Sequence, residues 1–357
     1  MSLNRYDRQI RLSGFGPGAQ ELLGRARILV VGAGGLGVPV CQYLNAMGVG
    51  TLGIVDGDII EETNLHRQPA YGPADIGKAK ISVLGRNLRE QNPDTNIELH
   101  QTFLQPANAM GLLENYDLVV DATDRIPTRY LLDVACIICQ IPWIYGALHG
   151  FEGQLSVFNY QQGPTYRCLF PKIPKPGEIP DCNQLGTLGV LPGIIGSFQA
   201  LEAVKVICGI GEILTGKLLL FNALDHQSRQ MRFQKDLTQE IRKIHDDSHY
   251  SAGLCDTSGG VPMADYLEIS ESGKPHLLVD VREPDEFSAY HLPHALNFPL
   301  MEVEKHIPEM DQPTEVYLIC HSGSRSMQAY RKLEGKLQSA SLSWIQGGIK
   351  DLQSKIS

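Results

Sequence analysis

The sequence predicts an α/β protein with a doubly wound, mostly parallel sheet, an antiparallel extension of that sheet, and a second, small α/β domain. A β-branched run at 27–31 ends at Gly32, apolar residues follow at helical spacing from Gly35 to Met47, and a second apolar run occupies 51–55. This strand–loop–helix–strand order is the unit from which parallel sheets are built. The alternation continues along the chain, and a new α/β pattern begins near residue 262.

The later elements of the first domain are predicted from the same periodicities. They are helices at 77–91, 126–139 and about 193–208, parallel strands at 96–100, 117–121 and 143–148, an alternating antiparallel strand at 153–160, and strands near 217–222 and 229–233. Residues 161–187 are rich in proline and glycine and predict a long irregular loop. Loops of this length in compact domains are usually functional.

The second domain is predicted from two buried strands and one helix. The strands lie at 277–281 and 316–320, and the helix begins at Gly323 or Ser324. Residues 235–260 lose the apolar periodicity, as linkers do. We therefore expect domains at 1–245 and 261–357, with a linker at 246–260 between them.

The composition argues against two classes of partner. The chain has 357 residues and a net charge of −9, with no basic cluster, so nucleic acid is not an expected partner. Its longest apolar stretch, 186–211, is interrupted by Pro192, Glu202 and Lys205, which argues against a membrane span. The first residues lack an apolar secretion signal and the eight cysteines are scattered, so we expect a cytoplasmic protein.

A glycine-rich loop predicts a nucleotide site. Residues 32–37, Gly-Ala-Gly-Gly-Leu-Gly, fit the pattern G-x-G-x-x-G through Gly32, Gly34 and Gly37, directly between a strand and a helix. Such glycines let the backbone approach a phosphate at the positive end of the helix dipole. Asp56 closes the next strand, where a carboxylate can hold ribose hydroxyls. Taken alone, this motif favours a nicotinamide or flavin dinucleotide.

The polar residues that follow favour nucleotidyl transfer instead. They are Asp58, Asn64, Arg67, Gln68, Lys80, Asp121 and Asp124. Attack of a carboxylate on an α-phosphate needs cations to neutralise the developing charge and a carboxylate to hold magnesium. Because the carboxyl ends of successive parallel strands meet at one edge of the sheet, we expect these side chains to converge there.

Five segments of the chain resemble the MoeB/ThiF family, the bacterial relatives of ubiquitin-activating enzymes. They are Arg5-Tyr6-Asp7-Arg8-Gln9, the glycine loop, residues 56–68, Gly77-Lys78-Ala79-Lys80 and residues 121–124. The resemblance covers roughly residues 4–234. It implies a Rossmann-like fold and ATP-dependent adenylation of the C-terminal glycine of a ubiquitin-like sulfur carrier.

The same resemblance implies roles for individual residues. The residues that match the family's ATP ligands are Gly35, Asp56, Asn64, Arg67 and Lys80. Asp124 matches the magnesium ligand, and Arg8 matches a residue that reaches into the partner subunit's site, which implies a homodimer. We include in the expected nucleotide site the neighbouring residues Gly32, Gly34, Gly37, Asp58, Gln68 and Arg125.

The chain departs from the family pattern at two places, the zinc ligands and Arg125. Family members often bind zinc through two C-x-x-C pairs, but here the first pair reads Thr165-Tyr166-Arg167-Cys168 and no second pair follows residue 230. A closed zinc site needs about four ligands, so we expect no zinc and a buried or incidental thiol at Cys168. Arg125 stands where the family usually has Asn. Cys182 matches a loop cysteine that forms a covalent sulfur link in some relatives, and a plain loop thiol is the alternative.

Residues 262–357 resemble a single rhodanese domain. The motifs that carry the resemblance are Asp280-Val281-Arg282-Glu283-Pro284, Glu286-Phe287, His291-Leu292-Pro293-His294-Ala295 and the loop Cys320-His321-Ser322-Gly323-Ser324-Arg325. Backbone N–H groups, a helix N-terminus and Arg325 in such a loop are expected to stabilise a persulfide on Cys320. A cysteine phosphatase is the nearest alternative, but related phosphatase loops have five residues between Cys and Arg, whereas this loop has four.

Both resemblances lead to one hypothesis. The first domain, with ATP and Mg²⁺, adenylates a sulfur carrier that ends in Gly-Gly, and the Cys320 persulfide then supplies sulfur for a thiocarboxylate. Arg8, Arg67, Lys80, Asp124 and Cys182 are the catalytic candidates beside Cys320. The expected sulfur donor is thiosulfate or a cysteine desulfurase, and the carrier's pathway stays open. The alternatives are a non-catalytic carrier-binding protein and a dinucleotide-dependent oxidoreductase fused to a sulfurtransferase.

Overall fold

The computed structural model divides the chain into two compact units, residues 1–255 and 256–357. The described residues are 3–174, 186–238, 243–245, 250, 260–311, 315–337, 339–349 and 352. Most of the linker expected at 246–260, and Cys182, lie outside them. Each unit is described by itself below.

The first unit alternates helices and strands. Its strands are β1 (Arg27–Val31), β2 (Thr51–Val55), β3 (Asn96–His100), β4 (Leu118–Asp121), β5 (Trp143–His149), β6 (Glu152–Phe158), β7 (Lys217–Asn222) and β8 (Ser228–Arg232). Its described helices are α1 (Leu3–Ile10), α2 (Gly16–Arg25), α3 (Gly37–Met47), α4 (Lys80–Gln91), α5 (Pro106–Leu113), α6 (Ile126–Cys139), α7 (Tyr166–Leu169) and α8 (Val190–Cys208). Three-residue 3₁₀ turns lie at Glu62–Asn64, Pro73–Asp75 and Tyr160–Gln162.

The eight strands form one sheet in the order β3-β2-β1-β4-β5-β6-β7-β8. Strands β1 to β5 are parallel, and β6, β7 and β8 pair antiparallel. This confirms the predicted fold class, including the antiparallel extension. Val31 pairs with Val55 on one side and Asp121 on the other, so the loops after β1, β2 and β4 begin side by side. Ligands of doubly wound sheets bind at this switch point.

Strand β1 is apolar and buried after Arg27, because both faces of the sheet are covered. Ile28 and Val30 lie in one core with residues of α3, α4 and α8. Leu29 and Val31 point to the opposite face, into a second core with residues of α5 and α6. This double burial fixes the end of β1 and therefore the start of the glycine loop.

Several elements differ from the sequence prediction. Helix α4 begins at Lys80 rather than near residue 77, because residues 73–79 form a 3₁₀ turn and a bridge from Ala79 to Ile59. Helix α8 begins three residues before the predicted start, and the irregular 161–187 segment contains the short α7. Helices α1, α2 and α5 were missed because each is at most ten residues long, and α2 and α5 begin with proline or glycine residues typical of turns.

Helix α8 is the element within the described residues that is long and apolar enough to cross a membrane. Half of its apolar window is buried inside the first unit, as in the core helix of a globular domain. Glu202, which interrupts its apolar sequence, is 3% exposed. Its carboxylate pairs with Lys205 and accepts the backbone N–H of Leu214 at 3.1 Å. The charge in this helix is therefore neutralised within the fold.

The second unit is a smaller parallel sheet with helices around it. Its strands are β9 (Gly260–Pro262), β10 (His276–Asp280), β11 (Leu296–Asn297), β12 (Glu315–Ile319) and β13 (Ser341–Gln346), in the order β11-β10-β12-β13-β9. Its described helices are α9 (Met263–Glu271), α10 (Pro284–Ala289), α11 (Ile307–Met310) and α12 (Ser324–Leu333), with a 3₁₀ turn at Val303–His306. The central strand β12 is buried after its first residue, as the sequence predicted.

Candidate active site

The glycine loop lies between β1 and α3 and leaves no room for a side chain at Gly32, Gly35 or Gly37. Gly32 has φ +109° and faces the carbonyl oxygen of Ala122, which would be 2.5 Å from an added Cβ. A Cβ on Gly37 would lie 1.9 Å from the carbonyl oxygen of Gly32. The loop therefore folds back on itself and against the strand-end residue after β4, which brings its backbone to the switch point.

Replacing Gly37 by alanine is expected to destabilise the first unit by about 3 kcal/mol, because the added Cβ meets a main-chain oxygen that cannot move without moving β1. The control is Gly111→Ala, in α5, where a Cβ meets nothing within 4 Å and is expected to stabilise by up to about 1 kcal/mol. Urea unfolding followed by Trp143 fluorescence, in a Trp344→Phe background, reports the first unit alone. Equal stability of the two variants would contradict the packing described here.

Asp56, at the end of β2, ties the glycine loop to the loop that follows β2. Its carboxylate accepts the backbone N–H of Ala33 at 2.7 Å and that of Asp58 at 2.7 Å. Burial raises the pKa of this carboxyl group, and the two N–H bonds oppose that shift. Tyr71 adds a second tie, since its hydroxyl donates to the carbonyl oxygen of Ala33 at 2.8 Å. A carboxylate with two N–H donors retains lone pairs for ribose hydroxyls.

Lys80 lies at the start of α4 with its side chain buried. It is 7% exposed, and its ammonium group lies 3.0 Å from a carboxylate oxygen of Asp58. Asp58 itself is exposed, so this pair stands at the boundary between the interior and the sheet edge. A buried lysine with one partner can approach a second anion at that edge.

Arg67 and Asn64 belong to a compact turn beside the glycine loop. The Asn64 side chain is buried and its oxygen accepts the N–H of Glu61 at 3.2 Å. The carbonyl oxygen of Arg67 lies 3.2 Å from the position of a Cβ on Gly35. The Arg67 guanidinium donates to the carbonyl oxygen of Thr63 at 2.7 Å. The turn is thus packed on the glycine loop, with the guanidinium held against the turn.

Gln68 has a buried acceptor that the described residues leave unpaired. The side chain is 3% exposed, and its amide nitrogen lies 3.6 Å from the position of a Cβ on Gly34. In the part of the chain that the structure describes, its Oε1 atom has no hydrogen-bond partner. Unpaired buried acceptors are rare, so this oxygen fits a donor of a bound ligand.

Residues 121–125 follow β4 at the same edge. Asp121 is fully buried and pairs with Arg129 at 3.0 Å, and burial raises the pKa of this carboxyl group against the effect of Arg129. Asp124 is exposed and makes no ion pair with a described residue. Arg125 is also exposed, with its guanidinium carbon 5.8 Å from the Phe103 ring centroid. Asp121 therefore anchors the strand end, and Asp124 is the carboxylate that faces solvent.

The start of α8 packs on the same site. A Cβ on Gly35 would lie 2.9 Å from Cβ of Pro192, and one on Gly189 would lie 2.2 Å from the carbonyl oxygen of His66. The segment that carries Cys182 ends immediately before this contact, although Cys182 itself lies outside the described residues. Arg8 is exposed on α1, and its expected role in a partner subunit's site stays a prediction.

Cys168 is neither fully buried nor incidental, which corrects the expectation for this thiol. Its Sγ accepts the backbone N–H of Thr165 and that of Asp236, each at 3.3 Å. The sulfur therefore joins the start of α7 to a segment 68 residues later. Across the described ranges, three or more His, Cys, Asp or Glu side chains are nowhere grouped as a metal site.

The loop of the second unit places Cys320 at the end of β12 and at the N-terminus of α12. Cys320 is 1% exposed, and its Sγ accepts the N–H of Gly323 at 3.2 Å and lies 3.6 Å from the Ser326 hydroxyl. Gly323 has φ +86°, which turns its N–H back toward the sulfur. His321 and Ser322 are exposed at the rim, and Ser324 begins the helix.

The floor of this loop is made by residues after β13. The N–H of Ile349 donates to the carbonyl oxygen of Cys320 at 3.0 Å. A Cβ on Gly348 would lie 2.3 Å from that same oxygen. The main chain at Cys320 is therefore held from below by a tight glycine contact.

Arg325 does not present an unpaired charge to Cys320. Its guanidinium forms two bonds to the carboxylate of Glu286 in α10, at 2.5 and 2.8 Å. This pairing lowers the pKa of Glu286 and raises that of Arg325. The sequence predicted that Arg325 adds positive charge to the loop, and Glu286 offsets much of that charge.

Comparisons with known proteins agree with this geometry. A profile of the ThiF family matches residues 6–240, and a profile of the rhodanese-like domain matches residues 263–355. The chain belongs to the ThiF family. A protein named adenylyltransferase and sulfurtransferase MOCS3, from Caenorhabditis briggsae, is 38% identical over 99% of this chain and 94% of its own length. A sulfur carrier protein adenylyltransferase of Thermus thermophilus is 47% identical over 66% of this chain and 88% of its own length.

Solved structures add the fold of the first unit. A crystal structure of E. coli MccB with ATP matches with a TM-score of 0.58 and 19% identity, over 67% of this chain and 74% of that one. At this identity the likeness concerns the fold alone. Membership of the ThiF family implies ATP use, and it removes the ground for a dinucleotide-dependent oxidoreductase.

Sequence reasoning missed three residues that position this ThiF-family site and one pairing in the second unit. Tyr71 and Arg129 hold the glycine loop and the end of β4, and Gln199 donates to the carbonyl oxygen of Asp121 at 2.6 Å. Glu286 holds Arg325. Spacing could not reveal them, because each acts through a contact between distant segments. A buried charge such as Arg129 within an apolar helix was the one available signal.

Proposed function

We propose that the chain adenylates the C-terminal glycine of a ubiquitin-like sulfur carrier and converts the activated carboxylate to a thiocarboxylate. The observation that carries the adenylation step is the grouping of a glycine loop with Asp56, Lys80 and the Arg67 turn at one sheet edge. Cations at that edge suit a reaction in which negative charge grows on phosphate. A relative that matches nearly the whole chain is named adenylyltransferase and sulfurtransferase, which supports both activities.

Different residues of the first unit carry out different parts of the proposed adenylation. Asp56 accepts the ribose hydroxyls, and Oε1 of Gln68 accepts a hydrogen bond from a donor group of the nucleotide. The backbone of the glycine loop binds the phosphates. The carrier's carboxylate oxygen attacks the α-phosphorus of ATP, an O–P bond forms, and the bond to pyrophosphate breaks with its electron pair. Lys80 and Arg67 neutralise the phosphate oxygens during that exchange, with Arg8 of a partner subunit as the third cation.

Asp124 would hold Mg²⁺. Its exposed carboxylate, with no ion-pair partner in the described residues, fits a hard cation that prefers oxygen ligands and keeps several waters. When bound, the ion supplies neutralisation of phosphate charge.

The second stage uses the Cys320 persulfide. Its terminal sulfur attacks the carbonyl carbon of the acyl-adenylate, a C–S bond forms, and AMP leaves with the electron pair of the C–O bond. Cys182 then attacks the sulfur of Cys320, which forms a protein disulfide and releases the thiocarboxylate, and an external thiol reduces the disulfide. The described residue Pro192, at the start of α8, packs against the position of Gly35, and Cys182 precedes it by ten residues in the sequence.

A homodimer completes the proposal. Helix α8 exposes Val190 and Leu201, and neighbouring α2 exposes Leu22, which suits a surface covered by a second copy. The described cysteines are free thiols, which supports a reducing cytoplasm. We propose neither a nucleic-acid nor a membrane partner, and no zinc.

One experiment tests activity and partner together. The full chain is incubated with ATP, magnesium, thiosulfate or a persulfide donor, and candidate carriers that end in Gly-Gly. We expect the carrier's mass to change by replacement of one oxygen by sulfur. AMP linked to the carrier without sulfur gain would support adenylation alone. An unchanged carrier beside intact ATP, for every carrier tried, would favour the non-catalytic carrier-binding alternative.

A further inference from the structure

Glu286 forms an ion pair with the arginine of the Cys320 loop. Both oxygens of the Glu286 carboxylate accept hydrogen bonds from the Arg325 guanidinium, at 2.5 and 2.8 Å. Both side chains are about one-third exposed, so the pair stands at the rim of the loop rather than in the core. Bidentate pairing of this kind fixes the guanidinium in orientation as well as in charge.

Among the residues of the loop and the first part of α12, one side chain is a lysine or an arginine. Arg325 is the one Lys or Arg between residues 320 and 330 of the sequence. The nearby Arg282 is buried and bound to the carboxylate of Asp280 at 2.6 Å. Glu283 and Asp285, beside Glu286 on the same segment, are exposed carboxylates. A donor that approaches Cys320 therefore meets a neutralised arginine with acidic residues beside it.

We infer that Glu286 is a specificity residue of the sulfurtransferase step, which selects against doubly charged donors by holding Arg325. The inference depends on Cys320 being the accepting thiol. In the loading step the Cys320 thiolate attacks the outer sulfur of the donor. A new S–S bond forms at Cys320, the donor's S–S bond breaks, and the leaving group takes the electron pair. That group is sulfite when thiosulfate is the donor and a thiolate when a persulfide is the donor.

The charges of the two donors make the test possible. Thiosulfate is a dianion and its leaving group is a dianion, so both approach and departure meet the local negative charge. Glutathione persulfide releases a thiolate, which has a single negative charge at the bond that breaks, and its carboxylates lie several bonds away from the reacting sulfur. Removing the Glu286 charge frees the Arg325 guanidinium for the dianion and changes little for the persulfide.

The experiment compares Glu286→Gln with the matched control Glu304→Gln in the full chain. Glu304 is in the same unit, pairs with Lys336, and gives the same change in net charge away from the loop. Persulfide on Cys320 is measured by mass spectrometry after timed exposure to thiosulfate or glutathione persulfide. We expect Glu286→Gln to speed thiosulfate loading about tenfold, equivalent to about 1.4 kcal/mol, and to change glutathione persulfide loading less than twofold.

Three results would overturn the inference. They are thiosulfate loading that is unchanged in Glu286→Gln, loading that falls in that variant, and loading that rises equally in Glu304→Gln. Loading of Cys320→Ser would instead overturn the assignment of the accepting thiol. Sulfate competition in the unmodified chain is a second measurement that needs no variant. We expect an inhibition constant for sulfate above about 1 mM, and tighter inhibition would contradict a neutralised Arg325.

Discussion

Asp124→Ala is expected to lower carrier-dependent ATP–pyrophosphate exchange about 100- to 1000-fold. The carboxylate is exposed at the end of β4 and has no ion-pair partner among the described residues, so its removal leaves the fold intact. What is lost is the ligand for the cation that neutralises the phosphates, and a single electrostatic contact in a transition state is commonly worth that factor. Incorporation of labelled pyrophosphate into ATP measures it.

The control for this variant is Asp94→Ala. Asp94 is exposed in the turn before β3, at the opposite edge of the sheet, and the substitution changes the net charge equally. We expect it to keep exchange within about twofold of the unmodified chain. Exchange that survives Asp124→Ala would count against nucleotidyl transfer at this edge.

Cys320→Ala is expected to abolish thiocarboxylate formation and to leave the exchange reaction unchanged. The sulfur is the nucleophile that accepts and passes on the donor's sulfur, and alanine removes it without enlarging a buried side chain. Carrier mass after incubation with ATP and a sulfur donor reports the loss, and pyrophosphate exchange in the same sample reports adenylation.

Cys139→Ala is the matched control, because it removes a partly exposed thiol of the first unit that the proposed chemistry does not use. We expect full thiocarboxylate formation in this variant. Thiocarboxylate produced by Cys320→Ala at the normal rate would show that sulfur reaches the carrier without the second unit. A parallel loss of exchange would show that the two stages are not separable.

The sequence predicted the backbone of this site better than its side-chain partners. Glycines at 32–37 and buried runs such as 27–31 leave local signals, because backbone conformation and double burial act on single segments. That is why the strand boundaries of β1, β2 and β3 agree with the prediction. Helices α1 and α2 left no such signal, since turn residues and polar side chains dominate their short sequences.

The hydrogen-bond and ion-pair partners of individual side chains could not be predicted in the same way. Arg325 is five residues from Cys320 in sequence, but its partner Glu286 lies 39 residues upstream of Arg325 and is one of several acidic residues there. Only the packing of α10 beside α12 decides among them. For the same reason the incomplete zinc motif predicted only a buried or incidental thiol at Cys168, whereas its sulfur accepts backbone N–H groups from two distant chain segments.

The main chain of Cys320, clamped by Gly348 and Ile349, has one further consequence. A thiol on a long flexible side chain could move toward its acceptor, as prosthetic groups attached to lysine side chains do. The Cys320 thiol cannot move in this way within its unit, because the Cys320 carbonyl is held by Ile349 and Gly348 and the residue is buried. If the Cys320 persulfide supplies the sulfur, the activated carbonyl of the carrier has to enter this loop, because the main chain of Cys320 is held in place within its own unit.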